Sequence, residues 1–214
     1  MQLSSQVNYI SYNNAPVNEL IDKSKFFGSK ADIINIFFIR TFDEIKLQFD
    51  RIKQDIDDFA TLSASMSGTK IANAVPYRYG SEPSDLGLQQ FHRINTAIFT
   101  DVHMLLIALQ QLNDLLECII KKKLLPDVID FEQLQIKYKN WLKTCTDFRN
   151  HLEHISERVV RGVSDLGNII NDSFSFDGET ISIGPDQERM VEQFANDYFK
   201  IINKLIAQRS PRGS

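Results

Sequence analysis

Ten consecutive positions, 149–158, carry the densest group of chemically active side chains in the 214-residue chain. The residues concerned are Arg149, Asn150, His151, Glu153, His154, Glu157 and Arg158. An imidazole can take or give a proton near neutral pH, because its unperturbed pKa is about 6.5. A guanidinium is a permanently charged, planar set of hydrogen-bond donors for anions. These residue types are therefore suited to proton transfer beside a negatively charged group.

The apolar residues of the same segment predict how a helix here would be oriented. Successive helical residues turn by about 100°, so one inward face is expected to hold Phe148, Leu152, Ile155 and Val159. The outward face is expected to hold Asn150, His154 and Glu157. On one flank we expect Arg149 and Glu153, and on the other, nearer the core, His151 and Arg158. A histidine that faces away from its own core is either simply exposed or part of a surface that meets another molecule.

Periodic apolar residues indicate the elements that must position this segment. They repeat every three or four positions in four stretches, which predicts four amphipathic helices. We expect helices over residues 30–63, 85–123 and 130–162, and a last helix after Gly184-Pro185-Asp186. Pro126 separates the second helix from the third, and Asp130 is the expected cap of the third. The predicted fold class is all-α, an elongated four-helix bundle.

Two stretches do not have a helical pattern. Residues 174–183 alternate apolar and polar around Asp177-Gly178, which predicts a small β-hairpin before the last helix. An isolated hairpin is marginally stable, so its apolar face must rest on the bundle or on another subunit. Residues 65–84 contain two glycines and two prolines and predict a long loop, either mobile or a lid over a site. The expected organisation is an N-terminal extension (1–29), the bundle (30–208) and a flexible tail (209–214).

Composition narrows the class of protein. The hydrophobic fraction is 43% and the charged fraction 24%, values ordinary for a soluble globular domain. No uninterrupted apolar run approaches the roughly 20 residues that span a bilayer, and no secretory signal opens the chain. The only cysteines, Cys118 and Cys145, lie in helical patterns, so we expect a reducing, cytoplasmic location. A net charge of -4 argues against general binding of polyanions but allows a small phosphate site.

The motif resembles the signature of the HEPN superfamily, an Arg followed by a polar residue and then, four to six positions after the Arg, a His. Here it reads Arg-Asn-x3-His, made by Arg149, Asn150 and His154. The continuation Glu-His-x-x-Glu-Arg, from Glu153 to Arg158, also resembles several branches of this family. So does a hairpin before the final helix. Requiring the polar residue lowers the chance expectation to about 0.1 matches per chain of this composition.

The resemblance implies a metal-independent endoribonuclease that needs no cofactor and acts as a toxin or defence component. Arg149 would stabilise the transition state, His154 would be the general acid or base, and Asn150 would orient it. Supporting roles would fall to Glu153, Glu157, Arg158 and His151. Members pair across this helix face, so a homodimer is implied, with RNA as substrate and an antitoxin or other protein as a possible partner. In some members a modified Tyr lies two positions after the His; Ser156 occupies that position here.

Other interpretations remain open at this level. The chain could be a noncatalytic HEPN module that binds a protein partner or RNA, or a helical small-ligand sensor whose 65–84 loop closes over a pocket. Arg149 and Glu153 could be an ordinary surface ion pair at i,i+4 spacing. A metal site at His151, His154 and Glu157 would need a further ligand from a second helix. His92 and His103, on the second predicted helix, are expected to be structural.

Overall fold

A computed structural model describes residues 29–67, 86–154, 168–170 and 172–209. In these ranges four helices are present: α1 (Ser29–Ser67), α2 (Leu86–Lys122), α3 (Val128–Glu153) and α4 (Pro185–Arg209). A three-stranded antiparallel sheet precedes α4, formed by β1 (Asn168–Ile170), β2 (Ser173–Phe176) and β3 (Glu179–Ser182) in that spatial order. The predicted all-α four-helix bundle with a small hairpin is confirmed. The extension at 1–28, most of the 65–84 loop and the tail after 209 lie outside the described residues.

The α2 helix is the central element of the bundle. It packs along α1 on one side and α3 on the other, and a row of its leucines and a valine is at most 1% exposed: Val102, Leu105, Leu109, Leu112 and Leu116. Although the sequence has no unbroken apolar run, the segment His92–Lys122 is apolar and long enough, by composition alone, to cross a membrane. Burial of one face of α2 in the bundle accounts for the apolar residues on that face.

Aromatic rings join α1, α3 and α4. Phe38 stacks on Tyr198 with ring centroids 4.1 Å apart, and Phe194 contacts Tyr138 edge-on at 5.1 Å. These rings are at most 2% exposed. Offset and edge-to-face pairs of this kind stabilise a core beyond the area that they bury. The α4 helix thus closes the bundle against α1 and α3.

The hairpin rests on the bundle. Phe174 and Phe176 are buried, and both pack edge-on against Phe99 of α2 with centroids 5.8 Å apart. The turn between β2 and β3 has positive φ at Asp177 (48°) and Gly178 (83°), as a type I′ turn requires. The predicted Asp-Gly turn is therefore confirmed, while β1, which pairs with β2 over residues 168–170, was not predicted.

Two predicted boundaries of α3 are wrong. The N-cap is Asp127 in a left-handed conformation (φ 55°), and Asp130 instead lies in the first turn, where its carboxylate accepts a hydrogen bond from Lys204 of α4 at 2.7 Å. Helical periodicity could not distinguish an aspartate that caps from one that pairs across the bundle. The other end was expected near residue 162, but α3 ends at Glu153. No glycine or proline marks that end, so the usual stop signals are missing.

Candidate functional site

The side chain of Arg149 turns towards α2. Its Nη1 donates a hydrogen bond to Oε1 of Gln110 at 2.6 Å, and its Nη2 donates to Oε1 of Glu153, one turn further along α3. The side chain is 24% exposed, and its Nε is buried without a hydrogen-bond partner among the described residues. The guanidinium is therefore fixed at two edges, at the surface where α2 and α3 meet.

Glu153 links this arginine to a second helix. Its Oε1 lies 3.9 Å from Nε2 of His103 on α2, and the Glu153 side chain is 37% exposed. The i,i+4 ion pair between Arg149 and Glu153, one of the alternatives for this motif, is present. In its present conformation the site therefore has one carboxylate next to its principal cation, which partly offsets the positive charge.

Asn150 and His154 are both exposed, as expected for the outward face of α3. His154 is the C-cap residue of the helix (φ −88°, ψ 25°), and its backbone N–H donates to the carbonyl of Asn150 at 3.3 Å. Five helical positions separate Arg149 from His154, a rotation of about 140° about the helix axis. Ideal helical geometry would therefore point the two side chains in different directions; Arg149 contacts Gln110 of α2, and His154 is exposed.

His151 faces the hairpin. It is 9% exposed, and its Nε2 lies 2.9 Å from the carbonyl oxygen of Phe176 in β2. Because a carbonyl only accepts hydrogen bonds, Nε2 carries the proton in this contact. The ring also packs against the rings of Phe148 and Phe176 at 5.8 and 5.6 Å. This position near the core edge agrees with the helical phase, and it makes His151 a connection between α3 and the sheet.

Glu157 and Arg158, the remaining predicted supporting residues, lie outside the described residues, as does Ser156. Their predicted faces depended on helical continuation past residue 153, and α3 ends there. Within the described ranges, no group of three or more His, Cys, Asp or Glu side chains is placed to hold a metal ion.

Three residues of α2 that the sequence did not indicate as site residues border the motif: His103, Gln110 and Asp114. Burial raises the pKa of Asp114 above its usual range and the charge of Glu117 adds to this, while Arg149 and Lys121 oppose it. The Asp114 carboxylate is therefore close enough to Arg149 for the two charges to interact. No signal in one sequence could pair Gln110 with Arg149, because 39 positions separate them.

Two grooves lie near the bundle surface. One, of about 380 Å³, runs between α2 and α3 and is lined by Asn113, Thr146 and Lys139 among others, one to three helical turns from Gln110 and Arg149. The other, of about 580 Å³, lies between α1 and α2 and is lined by residues that include Asp55 and Arg93. The second groove lies near the ends of α1 and α2 that the predicted 65–84 loop would join.

Comparison of the chain with protein-family models, with curated proteins and with solved structures found no match. The functional interpretation therefore depends on the motif and on the geometry around it.

Proposed function

We propose that this protein is a metal-independent endoribonuclease of the HEPN type, active as a cytoplasmic homodimer in a toxin or defence system. The observation that carries the proposal is the position of the motif: Arg149 and His154 lie at the surface at the end of α3, outside the core. Arg149 would stabilise the charge that develops on the phosphate, His154 would act as general acid or base, and Asn150 would orient the substrate or the imidazole.

In this reaction the ribose 2′-OH attacks the adjacent phosphorus atom. One histidine takes the proton of the 2′-OH, a bond forms between the 2′-oxygen and phosphorus, and the bond to the 5′-oxygen breaks. The departing 5′-oxygen takes a proton from a second acid, which leaves a 2′,3′-cyclic phosphate. One His154 imidazole fits one of these two roles near neutral pH, and water can serve in the other.

The divergence of Arg149 and His154 by about 140° favours a composite site. A phosphate in contact with both groups is easier to place if the arginine comes from one protomer and a histidine from the other. The groove between α2 and α3 would then extend the substrate path, since Thr146 lies one turn from Arg149 and Lys139 lies further along the same groove. Lysines along such a groove provide contacts to the RNA backbone.

Glu153 opposes the proposal only weakly. Its ion pair with Arg149 is partly exposed, and pairs of this kind contribute about 0.2–1 kcal/mol. A phosphate carries a comparable negative charge and accepts bidentate hydrogen bonds from a guanidinium. Exchange of the carboxylate for phosphate at Arg149 is therefore inexpensive.

The direct experiment incubates RNA with wild type, His154→Ala and Arg149→Ala in EDTA at pH 7. We expect wild-type cleavage, products with cyclic phosphate ends, and a loss of at least about 100-fold in rate for either variant. His92→Ala, which changes an exposed histidine of α2, is the matched control and should cleave like wild type. Cleavage that is independent of His154 would refute the assignment, and cleavage lost in EDTA would refute the metal-free mechanism.

Mixing the two inactive variants tests the composite site. In a heterodimer of Arg149→Ala and His154→Ala chains, one intact Arg149 and one intact His154 come from different protomers. If one site needs an arginine from one chain and a histidine from the other, the mixture should recover cleavage that neither variant shows alone. A mixture that exchanges subunits but stays inactive would contradict the shared site.

The second candidate is a noncatalytic module that binds RNA or a partner protein through the same face. The specific observation in its favour is that Arg149 is already held by Gln110 and Glu153, an arrangement typical of a fixed surface cation. It predicts RNA binding that weakens with salt and with Arg149→Ala, but no cleavage and no effect of His154→Gln on RNA integrity.

A further inference from the structure

His103 of α2 has an unusual environment beside the proposed site. Its Nε2 is buried and has no hydrogen-bond partner within the described part of the chain, although the side chain as a whole is 30% exposed. Oε1 of Glu153 lies 3.9 Å from this nitrogen. This separation is too long for a hydrogen bond but lies within the range of an ion pair if the ring is protonated.

The same carboxylate oxygen serves Arg149. Oε1 of Glu153 accepts the hydrogen bond from Nη2 of Arg149 and is also the atom that faces His103. One acceptor thus lies between a permanent cation and a ring whose charge changes with pH. A protonated His103 would compete with Arg149 for Glu153, whereas a neutral ring would leave the carboxylate on Arg149.

We propose that His103 is a positioning residue that controls, through Glu153, how available Arg149 is to a phosphate group. When His103 takes a proton from solvent, its Nε2–H draws the carboxylate towards α2, and Nη2 of Arg149 is released. Gln110 still holds Nη1, so the guanidinium keeps its position while one edge opens. The effect of His103 on RNA binding rests on the proposed ribonuclease function. The coupling between the His103, Glu153 and Arg149 side chains is independent of that function.

Within the described residues, Glu153 is the charged group within 4 Å of His103, and the same carboxylate pairs with Arg149. From α2, Asp114 acts on Arg149 further along the groove. On the hairpin side, His151 is engaged with the carbonyl of Phe176. Protonation of His103 therefore changes the cluster of His103, Glu153 and Arg149 from neutral to a net charge of +1, which favours an anion.

The coupling can be measured without RNA. The Nε–Hε resonance of Arg149 in ¹H–¹⁵N spectra should shift between pH 8 and pH 5.5 in wild type, as Glu153 leaves Nη2. His103→Gln should remove that shift, and so should Glu153→Gln, which cannot act as the charged partner. His92→Gln, an exposed histidine on the same helix, should leave it unchanged. A full pH response of the Arg149 signal in His103→Gln would overturn the proposal.

RNA binding tests the consequence for function. A fluorescent 12-nucleotide single-stranded RNA is titrated in EDTA at pH 8 and pH 6, with all proteins in the His154→Ala background to remove the charge change of His154. We expect about fivefold tighter binding at pH 6, corresponding to one additional unit charge screened by water. Glu153→Gln should bind tightly at both pH values and His103→Gln weakly at both.

The two readouts separate the two proposals. Absence of RNA binding and cleavage in every variant, with the Arg149 resonance still following His103, would refute the ribonuclease and leave the side-chain coupling established. RNA binding whose pH response persists in His103→Gln would refute the control by His103 and leave the ribonuclease intact. Thermal unfolding of both variants at pH 8 verifies that each is folded.

Discussion

Asp55 is destabilising in its ionised form, and Asp55→Asn should make the protein more stable at pH 7.5. The pKa of Asp55 is raised to about 6, mainly by burial and then by the charge of Asp101, a hydrogen bond with Asp101 and the charge of Asp58, while the charge of Arg51 opposes the shift. One oxygen, Oδ2, is buried with no partner among the described residues. An asparagine at this position can donate a hydrogen bond to Asp101 at every pH, as Asp55 can only when it is protonated.

The magnitude follows from the pKa. A carboxyl whose pKa rises from 3.8 to about 6 on folding loses about 3 kcal/mol of stability when fully ionised. Asp55 is only partly buried, so solvent screening reduces this value. We expect Asp55→Asn to raise the free energy of unfolding by about 1.5 kcal/mol at pH 7.5.

The direction of the pKa shift determines how the stability contribution of Asp55 depends on pH. Because the folded-state pKa is the higher one, the native state binds the proton more tightly, and the contribution of Asp55 to stability is complete below pH 3.8. It is lost as the pH rises through about 6. The gain from Asp55→Asn should therefore be full above pH 7 and should fall to about a third of its value at pH 4.5.

Urea unfolding followed by circular dichroism at pH 7.5 and pH 4.5 measures both values. Asp50→Asn, which removes an exposed carboxylate from the same helix, is the control and should change stability by less than about 0.5 kcal/mol at either pH. The comparison of variant with wild type at each pH cancels the titration of all other groups. An Asp55→Asn variant that is no more stable than wild type at pH 7.5, or equally stabilised at both pH values, would refute the reasoning.

Three further substitutions test the packing of the bundle and the hairpin. Phe194→Ala removes a fully buried ring from the aromatic cluster and should cost about 3–5 kcal/mol in urea unfolding; a cost below about 1 kcal/mol would contradict its place in the core. Gln187→Ala leaves the indole N–H of Trp141 (3.1 Å) and the thiol of Cys145 (3.2 Å) without their partner and should cost about 1–3 kcal/mol, with a changed Trp141 emission; an unchanged spectrum would argue against the contact. Gly178→Ala places a side chain at φ 83° and should lower the melting temperature at a cost of about 1 kcal/mol, whereas no effect would show that the turn relaxes.

The helices were predictable because burial imposes a period on the sequence. The expected second helix, 85–123, differs by one residue at each end from Leu86–Lys122. It ends in a Schellman motif: Leu124 N–H bonds to the carbonyl of Ile119, Lys123 N–H bonds to that of Ile120, and Lys123 has φ 50°. No glycine in the sequence marks this end of the helix, but Pro126 shortly after it does. Where such punctuation is absent, as after Glu153, periodicity alone extends a helix too far.

The candidate site was predictable only in its own helix. Helical phase correctly predicted that Asn150 and His154 are exposed and that His151 lies towards the core, because the first and third of these lie in α3 and His154 directly caps it. Contacts between elements have no periodic trace, so His103 and Gln110 were not identified as neighbours of the motif. Their roles depend on the register of α2 against α3, which side-chain packing sets.

Near the end of α3, buried residues that stabilise the fold are interspersed with exposed residues proposed to act in catalysis. Substitutions can therefore separate effects on stability from effects on activity. Phe148 and Leu152 are at most 5% exposed, and His151 bonds to the hairpin, so substitutions there act on folding. Asn150 and His154 are exposed, so their substitution should change stability by less than about 0.5 kcal/mol. Loss of RNA cleavage in a fully stable His154→Ala protein would therefore report on the chemical step. A loss of cleavage in a His151 variant would first have to be corrected for the fraction of unfolded protein.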